Sequence, residues 1–138
     1  MNFGLDFNWT VIIVLFLLFD AFVLWYVFVK KRKNKIPEQK RMYYLKIWRS
    51  LGQKSHKEAI MEADKILDKL LEHRGYSGSL GDKLKRADAI FTDVNSVWEA
   101  HKLRNRLAHE LGFHVSPEMA KRALKSFEKA YKDLGLFS

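Results

Sequence analysis

The apolar run from Trp9 to Val29, interrupted only by Thr10 and Asp20, constrains this chain more than any other feature. As a helix it covers roughly 30 Å, the thickness of a bilayer's hydrocarbon core. Trp9 stands at one end and Trp25-Tyr26 near the other, where interfacial aromatics belong. The run stops at Lys30-Lys31-Arg32-Lys33-Asn34-Lys35, which holds five of the 25 basic residues. A cleaved signal peptide has its charges before the apolar run and small residues after it. Here the charges follow, and Trp25-Tyr26-Val27-Phe28-Val29 offers no cleavage site. The expectation is one transmembrane helix over residues 9–29 that anchors the chain in a lipid bilayer. Residues 1–8 form a short extracytoplasmic N-terminus and residues 30–36 a basic juxtamembrane linker. The C-terminal domain, residues 37–138, is cytoplasmic by the positive-inside rule. The cluster Lys30–Lys35 serves as the orientation signal and is also compatible with anionic lipid headgroups. Asp20, near the middle of the span, costs on the order of 3 kcal/mol if ionised there. It fits either a polar contact with another helix, as in a homo-oligomer, or a protonated side chain carried by a very apolar span.

Beyond the linker the chain reads as helices. Two prolines and seven glycines leave little material for many tight turns. With no cysteine, disulfides and thiolate metal sites are excluded. Of the formal charge of +9, residues 36–138 keep +6. That mild basicity is compatible with RNA or an anionic surface. Tyr44, Leu45, Trp48 and Leu51 share one helical face, and Gly52 ends that helix. Ser55-x-x-Glu58 opens a second helix as a capping box, with Ile60, Ala63, Leu67, Leu70 and Leu71 buried and Gly75 closing it. A Gly/Ser loop, 76–81, has no phosphate-binding spacing and reads as a connection. Ser79-x-x-Asp82 caps a short helix expected to carry Leu84, Ala87, Ile90 and Phe91. Thr92 or Asp93 caps the next, expected to run to about Leu111 with Leu103, Leu107 and Leu111 entering the core. Ser116-Pro117 opens the last helix, with Ala120, Ala123, Leu124, Phe127, Tyr131 and Leu134 as its apolar stripe. The sum is an all-α chain: one transmembrane helix, then a four- to five-helix bundle.

The chemistry concentrates in residues 101–110. At about 100° per residue, His101, Arg104, Asn105 and Ala108 share one face, with His109 at its edge. Arg104-Asn105-Arg106-Leu107-Ala108-His109 resembles the R-x(4–6)-H motif of the HEPN superfamily, all-α domains found in many prokaryotic RNases. The polar residue after the arginine, the late position and the further helix behind it all match. The specific resemblance covers residues 104–109, and the loose one roughly 37–135. In addition, Arg74-Gly75-Tyr76, Gly81-Asp82-Lys83-Leu84-Lys85 and Trp98-Glu99-Ala100-His101-Lys102-Leu103-Arg104-Asn105 resemble a set of bacterial proteins with an amino-terminal membrane helix and no known activity. These likenesses imply a HEPN-like domain at the bacterial inner (cell) membrane.

The HEPN resemblance implies metal-independent RNA cleavage, in which a ribose 2′-hydroxyl attacks the adjacent phosphodiester. His109 is then the general base or acid, Arg104 stabilises the phosphorane, and Asn105 orients the histidine or the phosphate. Such sites are composite, so one motif per chain implies a homodimer. No cofactor or metal is expected. His109-Glu110-Leu111-Gly112-Phe113-His114 is not a zincin helix, because the extra residue and Gly112 part the histidines. The competing expectation is bland. Arg104 pairs with Glu99 or another helix, His109 and Glu110 lie at a helix end, and the set is a polar network fixing helix register. Lys121, Arg122, Lys125, Lys129 and Lys132 suit RNA phosphates or, with Glu118, Glu128 and Asp133 interspersed, a solvated helix face. The two function classes are thus a membrane-anchored RNA-binding protein or ribonuclease, and a non-enzymatic membrane-tethered interaction or dimerisation module.

Overall fold

The computed structural model describes residues 9–33 and 35–137. The segment 1–8, expected to be extracytoplasmic, and the side chains of the basic cluster up to Asn34 lie outside the described residues. The chain divides into two compact units, 1–35 and 36–138.

The first unit holds one helix, α1 (Trp9–Lys33). It continues through Lys33, so the expected linker begins as helix; lysine and arginine are good helix formers and nothing before Asn34 breaks the run. Among the described residues it is the one helix long and apolar enough to cross a membrane, over Trp9–Val27 with a mean hydropathy of 2.5. None of that window is buried. Its apolar side chains lie on all sides of the helix, as in a segment able by length and composition to cross a bilayer.

The second unit is a bundle of five helices: α2 (Glu38–Ser50), α3 (His56–His73), α4 (Leu80–Arg86), α5 (Val94–His109) and α6 (Pro117–Asp133). Pro37 caps α2 and cannot extend it backwards. The Ser55 hydroxyl accepts from the Glu58 amide while the Glu58 carboxylate accepts from Ser55 N–H, the expected reciprocal box. Ser79 and Asp82 do the same for α4. Ser116 accepts from Met119 N–H and holds the start of α6. Ser55→Ala is therefore expected to cost about 1 kcal/mol, read as a lower urea midpoint at unchanged slope.

The core lies where α3, α5 and α6 meet. Ile60, Ala63, Leu67, Leu70 and Leu71 of α3 are fully enclosed, as are Phe127 and Tyr131 of α6. Trp48 of α2 packs edge-on against Tyr131, centroids 5.1 Å apart. Arg74, just past α3, donates to Leu134 O at 2.8 Å and satisfies a carbonyl at the end of α6.

Two expectations need correction. The short helix stops at Arg86, and Asp88–Ile90 form a separate 3₁₀ turn, so Ile90 and Phe91 are not on α4. The helix α5 ends at His109, because Glu110 turns to extended backbone. Leu111 then falls in the turn before Gly112 (φ 72°) and is fully exposed, while Leu107 is buried and Leu103 half-buried. A turn needing positive φ overrides the leucine spacing there.

Candidate functional site

Helix α5 is set by Asp93, whose carboxylate accepts from Ser96 N–H at 3.1 Å. Its inward face buries Val97, Ala100 and Leu107, with His101 among them. That face meets α3, whose apolar stripe carries one carboxylate, Asp64, one turn after Ile60 and one before Leu67. Asp64 is 4% exposed and His101 8%.

The contacts close into a ring. His101 Nδ1 lies 2.8 Å from Asp64 Oδ1. A carboxylate only accepts, so Nδ1 carries the proton and donates. Nε2 then accepts from Asn105 Nδ2 at 3.2 Å. Asn105 Oδ1 accepts from Arg104 Nη1 at 3.0 Å. Arg104 Nε lies 3.2 Å from Asp64 Oδ2 and completes the circuit. This last contact is an ion pair rather than a hydrogen bond, since the buried Nε–H is not aimed at an acceptor. Each donor-acceptor choice fixes the next, and the ring locks one imidazole tautomer and one amide orientation. Trp98 abuts the imidazole edge-on at 6.1 Å. From α6, Tyr131 donates to Ala63 O, next to Asp64 in sequence, at 2.6 Å. Burial pushes the Tyr131 phenol well up, and the negative charge of Asp64 adds to the rise.

An open groove of about 540 Å³ runs beside this ring, lined among others by Asp64, Asp68, Ser79, His101, Arg104 and Asn105. A smaller one, about 260 Å³, lies between α5 and α6 with Lys102, Arg106 and Arg122 around Leu103 and Met119. The five basic residues of α6 are all exposed. Two of them are already paired: Lys129 with Asp93 at 3.4 Å and Lys132 with Glu128 at 3.0 Å.

Of the three residues singled out by the motif, Arg104 and Asn105 come together and His109 stands apart from their ring. The histidine that Asn105 meets is His101. His109 is exposed at the last position of α5, with no hydrogen-bond partner among the described residues. Glu110 beside it is held by Arg106 at 3.0 Å, and Arg106 also lies over the Phe113 ring, 4.0 Å from its centroid. Arg104 pairs with Asp64 of α3, not Glu99. Among the described residues, no group of three histidine and carboxylate side chains is placed to hold a metal ion.

Sequence reasoning missed Asp64, His101 as its partner, and Lys83. The signal was available for Asp64, an acid on an otherwise apolar stripe. Lys83, on α4, is 1% exposed. Its ammonium donates to Asp68 at 2.6 Å and Glu72 at 2.9 Å, pinning α4 to α3. Hydrogen bonds from Lys69 and then Lys83 hold the Glu72 carboxyl down at about 2. A depressed carboxyl stabilises the fold above its unfolded value and loses that contribution as pH falls through its folded value. The window is thus from about 4.5 down to about 2. Glu72 is 42% exposed, so solvent weakens the effect. In a pH series of Tm, Glu72→Gln is expected to lower the neutral plateau modestly, flatten the acid slope through that window, and meet the wild type at its acid end.

Comparison with family models, curated proteins and solved structures gave no match.

Proposed function

We propose that this chain is a non-enzymatic helical interaction module tethered to the bacterial inner membrane. In this reading α1 crosses the bilayer with its N-terminus outside, and the bundle, HEPN-like in its helix order and motif, lies in the cytoplasm. The orientation follows from the basic cluster after the apolar run. One observation carries the absence of catalysis: the Arg104 guanidinium is already engaged by Asp64 and Asn105 in a ring from which His109 is missing. An arginine that neutralises a buried carboxylate has little charge left for a phosphorane.

A second reading is RNA binding with metal-independent cleavage in a homodimer. It is favoured by the exposure of His109 and by Arg104 bordering an open groove. His109 would then take the 2′-hydroxyl proton, and an arginine of the facing copy would meet the phosphate. The two readings separate in one assay: full-length protein in detergent, structured RNA and excess chelator. The first predicts intact RNA, with Arg104→Ala less stable than wild type by about 1–3 kcal/mol. RNA cut by the wild type but not by a folded His109→Ala variant would replace the first reading with the second.

A further inference from the structure

The span of α1 carries Asp20 at mid-depth, exposed like every neighbour from Trp9 to Val27. A lone carboxyl in hydrocarbon needs a hydrogen-bonding partner, and unpaired it is costly. The span itself has no basic residue to offer. Its sequence does have a seam. Taking Asp20 as the d position of a heptad, the other core positions are Thr10, Ile13, Leu17, Leu24 and Val27; taking it as the a position would instead put Trp9 and Phe16 on the seam and leave Thr10 off it. With Asp20 at d, the seam collects both polar residues of the span with four branched aliphatic ones. The aromatic residues Phe16, Phe19, Phe22, Trp25 and Tyr26 all fall off it. Phe22 and Trp25 already lean on one another along the helix, centroids 6.0 Å apart. A 3.5-residue seam is the pattern of left-handed helix pairs, the commonest geometry in membranes.

We infer that α1 is a parallel homodimerisation helix, with the Asp20 carboxyls of two copies hydrogen-bonded to each other across this seam. The occupant is a second copy for a physical reason. Parallel two-fold symmetry sets each seam residue opposite its own mate, so Asp20 meets an identical group at the same depth. Two such groups cannot both be ionised at contact. As carboxylic acids they donate and accept in turn. Thr10 adds a second polar pair one end further out. The inference rests on α1 spanning a bilayer, as proposed above. It would bring two bundles together without any contact between the bundles themselves.

The test uses the full chain, whose lack of cysteine makes single-cysteine variants clean reporters. Ile13→Cys, Leu17→Cys, Leu24→Cys and Val27→Cys are reconstituted in phosphatidylcholine–phosphatidylglycerol vesicles and oxidised, beside the off-seam Leu18→Cys and Phe22→Cys. Seam variants are expected to cross-link and off-seam variants not to. Adding Asp20→Leu, which makes the helix more apolar and so keeps it inserted, is expected to weaken the dimer about five- to thirtyfold. Asp20→Asn, which keeps a donor and an acceptor, is expected to retain most of it. Inserted protein that cross-links equally at all positions, on another face, or unchanged by Asp20→Leu overturns the inference while leaving the anchor standing. Release of the wild type from vesicles by alkaline carbonate overturns the anchor and the inference together.

Discussion

Replacing Asp64 by alanine is expected to lower the stability of the bundle by about 3–5 kcal/mol. The carboxylate is almost fully enclosed and serves two helices. It accepts a hydrogen bond from His101 Nδ1 at 2.8 Å and faces Arg104 Nε at 3.2 Å. Without it, the buried His101 Nδ1–H loses its acceptor and the partly buried Arg104 guanidinium loses its counter-charge, keeping only Asn105, while the pair of helices that enclosed them stays packed. Losing one partner of a buried pair costs more than the pair ever contributed, because the other partner keeps its desolvation penalty. In a domain of this size the change amounts to a fall in Tm of more than about 10 °C. Asp64→Asn keeps an acceptor for His101 but no charge for Arg104, so its loss is expected to be smaller, about 1–3 kcal/mol. Thermal unfolding in detergent checks both, and a shift of Asp64→Ala within about 0.5 kcal/mol of wild type would show that the ring carries no stability.

Phe127→Ala is expected to be comparably damaging, by about 3–5 kcal/mol, for an unrelated reason. Phe127 is completely buried on α6, the helix that packs against both α3 and α5. Its ring lies near-parallel to Tyr131, centroids 6.4 Å apart at 21°. Truncation opens a cavity at the junction of three helices, and close-packed neighbours on capped helices can close it only in part. Phe127→Leu, which keeps much of the volume, is expected to cost about 1 kcal/mol. Urea unfolding separates the two, and equal midpoints would mean that the site collapses without cost. A domain of ordinary stability has about 5–15 kcal/mol to lose, so Phe127→Ala or Asp64→Ala alone brings it near the threshold of folding.

The sequence revealed most of what is local. The boxes at Ser55 and Ser79, the cap at Ser116 and the stripes of α3 and α6 depend on residues within one or two turns, and each stands in the structure where its spacing put it. Leu111 shows where that reading stops. Its heptad-like spacing places it in the core, yet the helix ends two residues earlier and the turn at Gly112 takes it into solvent. The ring around Asp64 was only half legible. Arg104, Asn105 and His101 share a face of α5 by periodicity alone. Asp64 is 37 positions away from His101, and nothing in one sequence says which carboxylate on which helix will face them. Lys83 is similar: it looks like one more basic residue in Lys83-Leu84-Lys85-Arg86 until α4 is laid against Asp68 and Glu72.

The central claim is that Arg104 holds two helices together and that His109 is not its working partner. The most direct measurement is equilibrium urea unfolding of full-length Arg104→Ala and His109→Ala side by side, each assayed for RNA cleavage in chelator. The account predicts a loss of about 1–3 kcal/mol for Arg104→Ala and less than about 0.5 kcal/mol for His109→Ala, with no cleavage by either variant or by the wild type. Two variants as stable as a wild type that cuts RNA, both of them inactive, would contradict it.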